Sequence, residues 1–264
     1  MKEIDERARG VAVESAAGSG AVLVIGAGSA IARAISARFA AAGHDIILAG
    51  RGLDDLRATA ADLKIRYNVR TAVLPFEALD FEGHGGFFKS SATQFESGLF
   101  GVVVCHGMMP SQAEAQKDWE IARRTIDVNY TSAVSILNLA AEYFQSRKAG
   151  FLCVLSSVAG DRGRQSNYLY GSAKGALSLY LQGLRQRLAK AGVRVVTVKP
   201  GFTDTAMTWG LPGMFLVASP EKVAEDVFRG VNKGKPTVYT PGFWRVIMFI
   251  IRSIPEAVYN RMKL

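Results

Sequence analysis

From residue 21 onward the chain alternates short apolar, often β-branched runs with longer stretches of amphipathic helical pattern, and few folds accept that alternation. The strand-like runs fall at residues 21–25, 45–48, 71–74, 100–105, 151–155, 193–198 and 237–239. Helical patterns lie between them at 31–42, 53–67, about 119–143, 168–191 and about 221–231. Strands alternating with helices of this length imply βαβ units, right-handed crossovers and a buried parallel sheet. The expected fold class is α/β, a single doubly wound parallel-sheet domain over residues 21–241. A polar extension at 1–20 precedes it, and an amphipathic, basic helical tail at 242–264 follows.

A chain of 264 residues is ordinary for one such domain with one large core. Both cysteines, Cys105 and Cys153, fall inside apolar runs and read as small buried hydrophobes, which fits a reducing cytoplasm without a disulfide framework. The three histidines are scattered, and no Cys/His spacing suggests a metal site. Residues 1–20 begin with charges and hold no apolar core, so neither a signal peptide nor a membrane anchor is expected there. The net charge of +9 comes from basic residues spread over helical stretches without a nucleic-acid motif; surface solvation explains it, and no nucleic-acid partner is expected.

Residues 22–32 read V-L-V-I-G-A-G-S-A-I-A, a strand that turns through Gly26 and Gly28 into a helix entered by Ser29 and Ile31. Glycines at such a turn let the backbone approach a pyrophosphate, while the helix N-terminus offers N–H groups and the positive end of its dipole. The match to G-x-G-x-x-G is partial, because Ile31 stands at the third glycine. A glycine turn joining any strand to any helix is the plain alternative. At the end of the second strand, Gly50 occupies the position where an acidic residue would bind the 2′-hydroxyl of NAD, and Arg51 follows. An arginine there accommodates the 2′-phosphate, so NADP(H) is favoured over NAD(H). Otherwise Arg51 is a surface cation and Gly50 a turn.

The strongest chemical signal is Tyr170 with Lys174, thirteen residues after Ser157, at the end of the fifth strand. Tyrosine and lysine at i and i+4 share one helix face. An adjacent ammonium favours the phenolate and is expected to draw the Tyr170 pKa down toward working pH, making it a proton donor or acceptor at a carbonyl oxygen. Ser157 could hold the same oxygen, and a cofactor must supply the hydride. A second Tyr-x-x-x-Lys, Tyr259 with Lys263, follows no strand and has no serine at the matching distance.

Together, the Gly26/Gly28 turn, Asn129, Ser157, Tyr170 with Lys174, and the segment Pro200-Gly201-Phe202-Thr203-Asp204-Thr205 resemble the short-chain dehydrogenase/reductase family over roughly residues 20–240, a Rossmann fold. The resemblance implies that Tyr170 is the general acid/base and that Lys174 lowers its pKa while binding the nicotinamide ribose. It further implies that Ser157 orients the substrate oxygen and that Asn129 holds a water in the proton relay. Gly26, Gly28, Ser29, Ile31, Arg51, Gly107, Tyr170, Lys174, Pro200, Gly201, Thr203 and Thr205 would contact the cofactor. Two departures stand out: alanines at 30 and 32 replace the family's glycines, and of its Asn-Asn-Ala-Gly only Gly107 is kept, after Val104-Cys105-His106. The second puts the packing near the adenine ribose in question.

The tail, residues 243–255, carries apolar bulk with Trp244 and a stripe of Arg245 and Arg252, to which Arg261 and Lys263 add charge. Such a helix suits a membrane interface; a helix packed on the domain or in a dimer interface is the alternative, and a homo-oligomer is expected. The tail, Asn129-Tyr130-Thr131 and the segment after Ser156 are similar to the decaprenylphosphoryl-2-keto-erythro-pentose reductases within the family. That likeness implies a keto sugar on a polyprenyl phosphate as substrate, a partner oxidase, and Arg162 and Arg164 meeting the lipid phosphate at the inner face of the cell membrane. A soluble ketoreductase of an acyl thioester, steroid or other small carbonyl compound is the alternative within the fold. A non-catalytic dinucleotide-binding scaffold is the alternative outside enzymes, since fold alone does not decide function.

Overall fold

The computed structural model describes residues 20–205 and 216–262, so the extension expected at 1–20 lies, but for Gly20, outside the described residues, as does Lys263. The first half runs β1 (Ala21–Ile25), α1 (Ala30–Ala40), β2 (Ile46–Gly50), α2 (Leu53–Tyr67), β3 (Thr71–Pro75), α3 (His84–Ala92) and β4 (Leu99–Val104). A single turn α4 (Gln112–Ala115), α5 (Trp119–Ile126), α6 (Ser132–Arg147), β5 (Phe151–Leu155) and α7 (Tyr168–Ala189) follow. The chain continues through β6 (Arg194–Pro200), α8 (Pro220–Asn232), β7 (Thr237–Thr240), α9 (Trp244–Ser253) and the short α10 (Glu256–Tyr259).

Seven parallel strands form one sheet in the order β3-β2-β1-β4-β5-β6-β7. This is the α/β, doubly wound Rossmann architecture expected from the alternation of strands and helices. Connectivity reverses between β1 and β4, which opens a crevice at the carboxyl ends of the central strands, the usual ligand position in such sheets. Ile25 pairs with both Ala49 and Val104, and Leu155 with Val198, so the loops that follow these strands leave from one edge.

The strands are near-continuous apolar runs because both sheet faces are covered. One face packs on α1, α2 and α8 through Ile35, Phe39, Leu56 and Val227, and the other on α3, α6 and α7 through Phe88, Ile136, Phe144 and Leu181. Local signals fix the helix ends. Ser29 Oγ accepts the Ala32 N–H at 3.2 Å to cap α1, and Ser219 caps α8 with Pro220 in its first turn.

Three details differ from the sequence pattern. The helix expected over 119–143 is two helices joined by a wider π turn at Asp127–Thr131, and α6 extends to Arg147. Helix α3 went unread, because Gly85 and Gly86 in its first turn lower intrinsic helix propensity. Burial of His84 and Phe88, the latter in the core with α6, outweighs that propensity. The third difference is the tail. Helix α9 buries Trp244 and Met248 against Val158, Phe202 and Tyr239, so this face is an integral layer of the domain. Its opposite face leaves Phe249 71%, Val246 62% and Ile250 58% exposed.

Candidate active site

At the end of β1 the chain turns through Gly26 at φ +79°, where a Cβ would stand 2.5 Å from the His106 backbone nitrogen. Only glycine fits that turn. Gly28 has no atom within 4 Å of where its Cβ would be, so the loop is open for close approach by a ligand. Behind it, the first turn of α1 presents backbone N–H groups suited to an anion. At the end of β2, the exposed Arg51 has no side-chain hydrogen bond or ion pair among the described residues. Glycine turn and helix N-terminus thus fit the pyrophosphate of a dinucleotide.

The departure at Cys105-His106 is absorbed structurally. The His106 imidazole lies 2.7 Å from Ser132 Oγ and packs near the Phe76 ring, and burial pushes its pKa down to about 3. The ring is neutral and lines the cleft, with Nδ1 buried and without a hydrogen-bond partner among the described residues. Cys105 is likewise pushed up to about 12 by burial, so it is a neutral thiol. Gly107 follows, and a Cβ there would stand 2.7 Å from Asn129 Oδ1 and 3.3 Å from Lys174 Nζ. Its missing side chain lets those two groups converge.

Ser157 leaves β5 in extended conformation, and its Oγ accepts the Ala159 N–H at 3.1 Å, starting a short 3₁₀ turn at Val158–Gly160. Just beyond, the buried Asp161 carboxylate takes an ion pair from Lys199 and a 2.7 Å hydrogen bond from the Tyr239 hydroxyl. These contacts fasten the loop to β6 and β7. Tyr170 and Lys174 project from the first turns of α7. Lys174 Nζ donates to the Leu155 carbonyl at 3.0 Å and lies 5.8 Å from the Tyr170 ring centre.

The electrostatics correct one expectation. Lys174 does not draw the Tyr170 pKa down; burial pushes it up to about 12, with Ser157 offsetting part of the rise. Lys174 is itself pushed down to about 8 by burial. Both shifts have one cause, since a low-dielectric cleft disfavours phenolate and ammonium alike. Asn129 is buried and held by protein contacts. Its Nδ2 donates to the Met108 carbonyl at 2.7 Å and the Thr125 carbonyl at 2.9 Å, while Oδ1 accepts the Met108 N–H at 3.3 Å. With both amide hydrogens engaged by protein, the side chain ties the π turn to the loop after β4.

One cleft gathers Ser29, Ile31, Gly107, Ser157, Tyr170, Lys174, Pro200, Gly201, Thr203 and Thr205. Gly26, Gly28, Arg51 and Asn129 do not line it: Gly26 shapes the turn, Asn129 sits behind Gly107, and Arg51 lies at the end of β2. Met109, Asn167 and Phe202 also line the cleft and were not read from the sequence. Asn167 stands at the N-cap position of α7, and its side chain makes no capping bond.

The pair expected to meet a lipid phosphate is divided. Arg162 donates to the carbonyls of Ile251, Arg252 and Ile254 at 2.8, 3.1 and 2.6 Å, pairs with Glu256 at 2.9 Å and lies over the Tyr259 ring. It caps the C-terminus of α9 and is not available to a ligand. Tyr259, of the coincidental second motif, holds the same loop through the Gly163 carbonyl. Arg164 alone lines the cleft.

Residues 20–213 match the family model for short chain dehydrogenases. An uncharacterized oxidoreductase of Mycobacterium tuberculosis is 34% identical over 246 residues, covering 93% of this chain and 98% of its own. One from Streptomyces coelicolor is 35% identical over 246 residues, covering 91% and 95%. These relatives are named as oxidoreductases without a substrate, and neither is named a keto-sugar reductase. Among solved structures, a short-chain dehydrogenase from Sphingobium yanoikuyae in complex with NADPH aligns with TM-score 0.74 at 22% identity, covering 90% of this chain and 97% of its own. A variant of actinorhodin polyketide ketoreductase with NADPH aligns with TM-score 0.75 at 19% identity, covering 85% and 97%. At such identities the likeness is one of fold. The family match and the curated relatives make the chain a member of the short-chain dehydrogenase family, an NAD(P)-dependent oxidoreductase.

Proposed function

We propose that this enzyme reduces a ketone to a secondary alcohol with NADPH. The convergence of Ser157, Tyr170 and Lys174 in one cleft carries the reading. Bound along the Gly26/Gly28 turn, with Pro200, Gly201, Thr203 and Thr205 beside its far end, the cofactor would supply the hydride. Ser157 orients the ketone oxygen. Tyr170, a neutral phenol at pH 7, donates its proton to that oxygen as negative charge develops. Lys174, while protonated, stabilises the phenolate left behind and offers hydrogen bonds to a ribose. Asn129 is a positioning residue that acts through the Met108 loop.

The pKa values set the pH profile. Tyr170 keeps its proton throughout the neutral and mildly alkaline range, whereas Lys174 loses its charge near pH 8. Reduction kcat/KM should therefore be level below about pH 8 and fall above it. A Lys174→Met variant should have low activity and lack that limb. A wild-type profile that stays flat to about pH 10, near the ordinary lysine pKa, would count against it.

For the cofactor, the unpaired Arg51 beside Gly50 favours NADPH over NADH. Arg51→Ala should weaken NADPH binding, measured by fluorescence titration, by roughly ten-fold or more, in line with the few kcal/mol that charge-assisted contacts to a phosphate supply. NADH binding should barely change. Equal losses for both would make Arg51 structural.

The finer reading is a keto sugar on a polyprenyl phosphate, taken from a membrane surface. Among the described residues no helix is long and apolar enough to cross a membrane. What supports a surface-bound enzyme is the outer face of α9, where Val246, Phe249 and Ile250 lie in the open between Arg245 and Arg252. Exposed apolar side chains flanked by cations suit an anionic interface, with about 1 kcal/mol per nearby basic residue added to apolar insertion. Phe249→Ser with Ile250→Ser should release the protein from phosphatidylserine vesicles in a sedimentation assay and leave its fold intact. If the wild-type protein ignores such vesicles at low salt, α9 faces a second subunit instead.

A further inference from the structure

Two arginines, two residues apart on the loop between Ser157 and Tyr170, have opposite surroundings. Arg162 is saturated by three carbonyls, a carboxylate and an aromatic ring. Among the described residues Arg164 has one hydrogen bond, from Nη2 to the thioether of Met248 at 3.7 Å, and thioether sulfur is a weak acceptor. Among the described residues its Nε is buried without a hydrogen-bond partner, and no carboxylate lies within 4 Å of its guanidinium. Asn167 Oδ1, one turn before Tyr170, is likewise buried without a partner among the described residues. Both residues line the cleft that holds Ser157 and Tyr170.

Both side chains are half-buried, and a donor atom buried without an acceptor is unfavourable, as is an amide oxygen buried without a donor. Groups of this kind in a ligand cleft are explained when the ligand brings what they lack. The cofactor's phosphates are not the natural partner. Its glycine turn follows β1, while Arg164 rests on Met248 of α9, which packs beside β7, the edge strand on the far side of β4, β5 and β6 from β1. A guanidinium matches phosphate and carboxylate in two-pronged geometry.

We infer that Arg164 is the specificity-determining contact for an anionic group, phosphate or carboxylate, carried by the ketone, with Asn167 hydrogen-bonding the polar atoms between that group and the carbonyl. The inference rests on the cleft being a ketone-reduction site and narrows its substrates to anionic ketones. Met248 holds the Arg164 side chain in place from α9, so the tail supports the substrate subsite directly.

Calorimetric titration of the NADPH-loaded enzyme tests this with two matched pairs, dihydroxyacetone phosphate against dihydroxyacetone and 2-oxobutanoate against butanone. At least one anionic member should bind roughly ten-fold tighter than its neutral partner, as one charge-assisted pair supplies. Arg164→Met should abolish that preference, and Arg164→Lys should restore part of it. The NADPH Kd should stay within about two-fold in both variants, well below one decade of affinity. No preference for either anion in the wild type, or a preference unchanged in Arg164→Met, would overturn the assignment. A parallel loss of NADPH affinity would reassign Arg164 to the cofactor and overturn it as well. Tyr170→Phe should keep the preference while losing turnover, so a failed ketone-reduction reading and a failed anion subsite give different results.

Discussion

Tyr170→Phe should lower NADPH-dependent ketone reduction by ~10²–10⁴-fold, the usual worth of a positioned general acid. The ring fills the same space and only the hydroxyl is removed, so fold and cofactor affinity should be close to wild type. The loss should appear in kcat, with little change in the NADPH Kd by fluorescence. Because burial keeps the Tyr170 phenol protonated, the proposed direction is proton donation, and the reverse oxidation should be favoured only at high pH. Near wild-type turnover in the phenylalanine variant would show that another group, or water, protonates the alkoxide.

Trp244→Ala has the second large effect. The indole is 1% exposed and rests against Gly201, where any Cβ would collide with it, and against Phe202. Truncating a buried tryptophan costs ~3–5 kcal/mol, a large part of a domain's net stability. Urea unfolding should show that loss. Turnover should fall as well, because the vacated space borders Gly201 and, through Val158, the residue after Ser157. For the same reason, removing residues 242–264 is expected to damage the enzyme as a whole. Surface variants on the outer face of α9 are the cleaner test of membrane binding. A loss below about 1 kcal/mol in Trp244→Ala would mean that α9 is an appendage after all.

How much of this was legible in the sequence depends on which interaction decides each feature. The sheet class follows from the spacing of apolar runs, since a parallel sheet covered on both faces accommodates them, whereas the strand order is set by how the crossovers pack. Tyr170 and Lys174 meet in the cleft because helix geometry alone puts i and i+4 on one side. Their pKa values could not be read this way. Local pairing suggested that the ammonium would govern the phenol, whereas burial, which is set by the whole fold, governs both. Arg162 and Arg164 look alike in sequence; the carbonyls that engage one of them come from residues about ninety positions away. The tail offered two readings because its apolar residues form two stripes. Trp244 and Met248 found a partner within the domain, and Val246, Phe249 and Ile250 did not.

Label transfer is the most direct test of the central assignment. NADPH carrying deuterium on the transferable position of its nicotinamide ring is incubated with wild-type enzyme and a panel of anionic and neutral ketones, and each alcohol is analysed by mass spectrometry. The expected result is deuterium at the carbinol carbon of at least one product, with formation of that product reduced by ~10²-fold or more in Tyr170→Phe. An unlabelled alcohol, or equal product formation by the two proteins, would contradict hydride reduction with Tyr170 as the proton donor.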